Sequence, residues 1–458
     1  MAAIVTDPLK RRLSQFIFDD TRAGDSNEYY IGIGKPDTYN AQDTTTTPIR
    51  TVSEQNEARA NLMSVKKVVN SSLVIPRYNW TSGSTYSAWS DASVGIPTNT
   101  YYVLTEDNEI YICLQQGKDA TGETNQSIVK PNYLAADPAL NNGNTVAEND
   151  PFKTADGYIW KLMYSLSAAK ANQFLTSGFI PIENLDSDTA TTPFENQQVK
   201  IQSTAQDGKI LGVRVINGGS GYTGSTTPVT FRGNGIGGNA TAFIADGSIV
   251  KVELNDSANA VQNGGGAGYD YASCSVTGNA QLIPILSPQG GIGKDPVADL
   301  KCSSVMYNVK TDGTENGTFT VDNDFRQITL LRNIENHSQD RLTGQSFKVG
   351  RFMDLTSSIA SILPDDLITD DTRGVTARVV EVDSDGGGNT RLRYIQNSNN
   401  IIGPFGAGND INSSTAEIST DSDGYVNIYS GELMYIENRA RVARAADQTE
   451  DIKIILTV

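Results

Sequence analysis

Tyr158-Ile-Trp-Lys-Leu-Met-Tyr-Ser-Leu166 sets aromatic and β-branched residues against polar ones, the pattern of a strand packed on one side. The same pattern runs from Tyr101 to Leu114, so the two stretches predict strands of one layer. Further out, Tyr29, Ile31 and Ile33 alternate through Glu28-Tyr-Tyr-Ile-Gly-Ile-Gly34, which predicts a half-buried strand. Ile452, Ile454, Leu456 and Val458 alternate as well, opposite Lys453 and Thr457, and this segment is expected to be pinned into a sheet with one face in a core. Between such segments the chain is rich in Gly (42 residues), Asn, Asp, Ser and Thr, which suit tight turns better than helices. The fold class expected is mainly β, with a few inserted helices giving the first two hundred residues an α+β character.

Three helices are expected. Asp7-Pro8 starts one, with Leu9, Leu13 and Phe16 on a shared face. Thr51 and Glu54 form a capping box ahead of a stripe of Ala58, Leu62, Val65 and Val69. A short third helix covers Ala168 to Phe174 and ends at Gly178.

The middle of the chain repeats itself. Asp207-Gly-Lys-Ile210, Val213, Val215 and Gly218-Gly-Ser-Gly-Tyr222 return as Asp246-Gly-Ser-Ile249, Val252, Leu254 and Gly265-Gly-Ala-Gly-Tyr269, the second copy being longer by about eight residues. Two copies are too few for a solenoid, which leaves a small paired β module. A second β-rich, glycine-rich segment surrounds the turn Asp383-Ser-Asp-Gly-Gly-Gly-Asn389, with strands over 375–382 and 391–395. The expected organisation is a core in three parts (1–204, 286–343 and 421–458) carrying an inserted repeat module (205–285) and a second β-rich insertion (344–420).

A net charge of −17 over 458 residues repels phosphate backbones and anionic head groups, so neither nucleic acid nor membrane insertion is expected. No apolar run approaches the ~20 residues of a spanning helix, and residues 1–20 lack the order of a signal peptide. Cys113, Cys274 and Cys302, an odd number of scattered cysteines, read as free thiols of a reducing compartment.

Signals for catalysis are weak. Gly233-Asn-Gly-Ile-Gly-Gly238 matches a dinucleotide-binding pattern, but strand and turn follow where that site requires a helix. His337, the sole histidine, sits in a polar stretch and reads as a surface-loop residue. A zinc site would have to gather it with the three cysteines without any C-x-x-C pair. Asp365-Asp366 and Asp370-Asp371 offer carboxylates for glycoside hydrolysis, yet adjacent acids more often build turns. Asp383-Ser-Asp385 begins like a calcium loop but has Gly387 and Tyr394 where oxygen ligands are needed. No cofactor, metal or enzymatic activity is expected.

Tyr429-Ser-Gly-Glu-Leu-Met-Tyr-Ile-Glu-Asn-Arg439 and Ala446-Asp-Gln-Thr-Glu-Asp-Ile-Lys-Ile-Ile-Leu-Thr-Val458 resemble the end of the baseplate wedge subunit known as gene product eight in T-even-like contractile-tailed bacteriophages. Ala3-Ile-Val-Thr6, Val74-Ile-Pro-Arg77 with Trp80, Asp156-Gly-Tyr-Ile-Trp160 and Phe325-Arg-Gln-Ile-Thr329 agree in the same order. The blocks and the core between them cover about half the chain, and the two glycine-rich insertions depart from the shorter family pattern. The resemblance implies a β-sandwich-based fold with helical inserts, a homodimer within each wedge, contacts with other wedge proteins that rearrange on infection, and a place in the virion tail after assembly in the host cytoplasm. It marks Trp80, Trp160, Arg326, Glu432, Tyr435, Glu437, Asn438, Arg439, Gln448 and Glu450 as core or interface residues. Two other classes stay open at this point. One is a carbohydrate-binding receptor or spike protein, with Tyr222 and Tyr269 stacking on sugar. The other is a polysaccharide-degrading enzyme.

Overall fold

The stretch from Tyr101 to Leu114 folds as a hairpin, Tyr102–Leu104 paired antiparallel with Glu109–Gln115 around Asn108, whose φ of 59° suits an asparagine. Ile159–Ser165 adds to the far side of Glu109–Gln115. The computed structural model in which these elements are seen describes residues 4–22, 27–36, 46–256, 261, 264–412 and 414–458. The chain is mainly β, built from antiparallel sheets with few helices. It divides into two compact units, the first made of Met1–Phe16, Ser72–Met306 and Leu456–Val458, the second of Ile17–Ser71 and Tyr307–Ile455.

In the first unit, Ile159 to Tyr164 are buried on both faces rather than one. A helix the pattern reading missed, Pro193–Ser203, packs on this strand and adds Ile201 to a core of Tyr111, Cys113, Phe152, Trp160 and Leu162. Its start was legible in Thr192-Pro-Phe-Glu195. Thr192 Oγ1 accepts from Glu195 N at 3.2 Å, the Glu195 carboxylate accepts from Thr192 N at 2.8 Å, and Pro193 holds the first helical position. The expected helix Ala168–Phe174 forms behind the N-cap Ser167, but extended backbone at Leu175 ends it three residues before Gly178.

The repeat module lies in the same unit and has its own core of Ile210, Val229, Ala242, Ile249, Val252, Tyr269 and Leu282. Its two copies clasp each other. The glycine-rich turn of the first copy donates Tyr222 N to Gly247 O, and that of the second donates Tyr269 N to Gly208 O, both at 3.0 Å. Gly208 and Gly247 sit at φ +63° and +71°, where a Cβ would be strained, so the Asp-Gly turns need these glycines. The strands after the two glycine-rich turns, Thr226–Gly233 and Ala272–Ser275, pair with each other. The second copy's extra residues fall at 255–264, mostly outside the described residues.

In the second unit the strand Asp324–Arg332 pairs antiparallel with Tyr29–Gly34 on one side and Glu432–Ala443 on the other, in a sheet continued by Leu62–Lys67 and Ser346–Lys348. Tyr29–Gly34 is buried at every position, not half-buried, because it has paired strands on both edges and packed layers on both faces. A Cβ on Gly32 would come within 2.5 Å of both Leu62 Cδ2 and Thr329 Oγ1, so the strand passes here only as glycine. The second expected helix is shorter than its stripe suggested: Val52–Ala60 is helical behind Thr51, then Asn61 caps it and Leu62 and Val65 are buried strand residues. Val69, the last of the stripe, is exposed. The segment from Arg351 to Ser422 forms a five-stranded sheet with its own core of Met353, Val379, Leu392, Tyr394, Phe405 and Ile418. The Asp383–Asn389 turn closes a hairpin in it, with Ser384 opposite Thr390.

Leu9, Leu13 and Phe16 do share a face of the helix Asp7–Arg22, but that face is exposed, and Phe18 is the buried apolar residue instead. The strand Asp451–Thr457 buries Ile452 and Ile454, half-buries Leu456 and leaves Val458 exposed, so the alternation is used only in part. Its pairing is dense: Glu450 O accepts from Thr311 N at 2.8 Å, Asn308 donates to Asp451, and Val458 N donates to Ser303 O at 3.0 Å.

Two outcomes follow from this packing. Each of Ile452 and Ile454 contributes roughly 1.5–3 kcal/mol by burial, so a chain lacking residues 452–458 should melt well below the full chain in calorimetry, whereas an unchanged melting temperature would show that the strand is dispensable. Burial pushes the Asp299 carboxyl up to about 7, opposed by its bond from Gly293 N at 2.7 Å. An acid with a raised folded pKa favours folding least once the unfolded form has ionised, so its contribution is lost as pH rises from about 4 through 7. Asp299→Asn should therefore gain stability relative to the parent at pH 8 compared with pH 5, and a pH-independent difference between the two would contradict this assignment.

Candidate docking edge

Glu432–Ala443 spans twelve residues, and among the described residues no strand pairs with its outer edge. Such an edge offers a row of backbone donors and acceptors to another chain. Its side chains are half-buried or exposed throughout, with Met434 at 44% exposure. The strand begins at a turn held by Arg59, a buried guanidinium that donates to Ile428 O at 2.8 Å, Ser430 O at 2.6 Å and Gly431 O at 2.9 Å. Burial lowers the Arg59 pKa, and the three carbonyls are its compensation.

Along the strand the family-marked residues make local bonds. Glu432 meets Arg332 at 2.9 Å, and Arg332 also pairs with Asp20 at 2.9 Å. Burial alone would raise Asp20, but Arg332, Tyr29 and Asn27 hold its carboxyl below the usual range. The Tyr435 hydroxyl donates to Glu437 at 2.8 Å, and burial together with that carboxylate pushes the phenol pKa up. Asn438 accepts from Gln327 at 2.7 Å and donates to Thr46 O at 3.0 Å. The Arg439 Nε is shielded from solvent with no hydrogen-bond partner among the described residues. Arg326 pairs with Asp324, whose carboxyl burial would raise but Lys35 and Arg326 hold low.

The other marked residues lie elsewhere. Gln448 and Glu450 belong to a buried cluster around Arg444, a residue the pattern reading passed over. The Arg444 guanidinium binds both Glu450 oxygens at 3.0 Å and donates to Thr320 O and Gly313 O; Gln448 and Thr311 donate to the same carboxylate. Only the Arg444 fork could bind the carboxylate in this way. Trp80 and Trp160 are in the first unit. Trp160 is fully buried, stacked on Tyr158 at 5.7 Å, and half-buried Trp80 donates to Ser127 Oγ at 3.1 Å. The set is thus a strand edge, a buried ion pair and an aromatic core, not one site.

The chemical motifs resolve as structure. His337 is exposed in the 336–339 turn. Gly233 ends one strand and Gly238 ends the next, so the glycine pattern is a β-turn. Asp370 accepts from Thr372 N, Arg373 N, Gly406 N and the Asn409 amide, which hold its carboxyl low against burial. Asp366 accepts from Leu363 N at 2.8 Å, and Asp365 pairs with Lys35 at 2.8 Å. Cys113 and Cys302 are buried and Cys274 half-buried, all three as thiols whose pKa burial raises. Sugar stacking on Tyr222 and Tyr269 does not fit: Tyr269 is buried with its hydroxyl accepting from Gly238 N, and half-buried Tyr222 packs on the module core while accepting from Ala280 N. No protein-family model matches the sequence, and no curated protein matches it.

Removing the Arg59 clamp tests how the edge is set. Arg59→Met removes the shared donor of three carbonyls on half-buried or exposed residues, which loosens the turn even where water takes the place of the guanidinium. Amides of 428–434 should then exchange hydrogen faster while those of the Arg351–Ser422 sheet keep their protection; equal rates in parent and variant at 428–434 would refute the clamp.

Proposed function

We propose that this chain is a structural subunit of the tail baseplate wedge of a contractile-tailed bacteriophage, a homodimeric scaffold on a β-sandwich-based core that links neighbouring baseplate proteins. The observation that carries the proposal is a coincidence of two independent readings. The block Tyr429–Arg439, one of the two C-terminal segments that resemble the wedge family, forms most of the long strand whose outer edge no strand pairs with among the described residues. A chain that assembles with others needs such a surface, and one that folds alone normally shortens or covers it. The excess of acid suits a protein that stays soluble and apart until its partners are in place.

The test uses Met434→Glu, which puts a charge at an exposed position of the edge. The variant should melt within about 1 kcal/mol of the parent, as surface substitutions do, yet fail to enter particles when supplied to a phage lacking the native copy. Antibody to the parent chain should label the baseplate of intact tails. Label absent from tails, or normal incorporation of the variant, would overturn the proposal.

A further inference from the structure

A cavity of about 150 Å³ opens in the first unit between residues 141–151, Lys161 of the central strand, the end of the Pro193–Ser203 helix and the start of the repeat module. Two lysines line it. Lys161 is 7% exposed, and its ammonium, with three protons to donate, makes one hydrogen bond, to Asn149 O at 2.9 Å. Lys209, on the first copy of the repeat, has no side-chain partner and neither lysine is in an ion pair among the described residues. Among the other buried cations, Lys35 pairs with Asp324 and Arg444 with Glu450, and Arg59 donates to three carbonyls. Among the described residues lining the cavity the single carboxylate is that of exposed Asp150, while the buried Asp299 also acts on Lys161 from outside the lining.

Burying a charge without a counter-ion, as at Lys161, is costly, and half-buried Lys209 in the same lining adds a like charge. The strain registers in both groups. Burial, then the charge of Lys209, pulls Lys161 down to about 8 against the opposing pull of Asp150 and Asp299, and burial lowers Lys209 against Asp150. An anion between the ammoniums would relieve this. Thr145, Asn149 and Gln206 add polar groups to the same wall. At about 30 Å³ per water molecule, the space suits a compact anion with a few waters.

We propose that this cavity binds a small oxyanion, a tetrahedral oxyanion or a carboxylate, held between Lys161 and Lys209. The site is independent of the docking edge, and its failure would leave the wedge reading untouched. Titration calorimetry of the full chain with sodium sulfate and, separately, sodium succinate, at ionic strength fixed with chloride, reads the binding and tells the two anion types apart. Saturable binding of either is expected. Lys209→Gln should weaken it at least tenfold, Lys209→Arg should keep it, and Lys10→Gln, on the exposed N-terminal helix, should leave it unchanged. Because a bound anion favours the charged form of Lys161, binding at pH 8 should take up protons, seen as a heat that varies with the ionisation enthalpy of the buffer. No saturable binding of either anion, equal affinity in Lys209→Gln and parent, loss of binding in Lys209→Arg, or binding without proton uptake would each overturn the assignment.

Discussion

A strand buried on both faces must find partners for its backbone along both edges, and Asp324–Arg332 is the strand on which the second unit depends. Its partners come from opposite ends of the chain, Tyr29–Gly34 and Glu432–Ala443. This pairing dictates much of what surrounds it. Gly32 must be small, because Leu62 and Thr329 occupy the space above it. Lys35, one residue beyond the first partner, reaches Asp324 at 2.8 Å and Asn323 at 2.7 Å, closing the end of the sheet with a buried ion pair. The Arg351–Ser422 segment leaves and returns between consecutive strands of this sheet and carries its own core, so it adds material without disturbing the pairing. Among the described residues no further strand follows Glu432–Ala443 in the sheet, and its outer edge is a by-product of the pairing.

Polar clusters join distant segments of this arrangement alongside its apolar burial. Arg444 with Glu450, Arg59 with three carbonyls, and Lys35 with Asp324 are each cations removed from water and bonded to several acceptors or a carboxylate. Such pairs give little net stability over an apolar replacement, because desolvation offsets attraction, but losing one member leaves a buried charge unpaired at roughly 3–5 kcal/mol. They therefore penalise misplacement of the segments they join. The repeat module uses a different device, in which each copy's glycine-rich turn bonds the other's Asp-Gly turn. Neither copy would satisfy its turns alone.

The mainly β class, the hairpin at Asp383–Asn389 and the duplication at 207–269 were legible because each leaves a local signature, alternation, turn chemistry or self-similarity. What was misread depended on distant residues. Tyr29–Gly34 and Ile159–Ser165 carry alternating patterns but are covered on both faces, and nothing local announces a second covering layer. Leu62 and Val65 keep helical spacing from Ala58 while belonging to a strand, since pairing with Tyr29–Gly34 overrides the local period. The helix Pro193–Ser203, by contrast, had a full N-terminal signature in Thr192-Pro-Phe-Glu195 and was readable. For the sites, the C-terminal block pointed to the edge strand, but Arg59 bonds carbonyls about 370 residues away, Arg444 joins Glu450 to the distant Thr320 and Gly313, and Lys161 looked like one polar residue of a strand.

The central claim is that the outer edge of Glu432–Ala443 is a docking surface used in assembly. Hydrogen exchange of its backbone amides, measured on the isolated chain and again on intact tails, addresses it most directly. The account predicts that amides on the outer edge exchange freely in the isolated chain and become protected in the assembled particle, while those bonded to Asp324–Arg332 are slow in both. Identical exchange at the outer edge in the two states would contradict it.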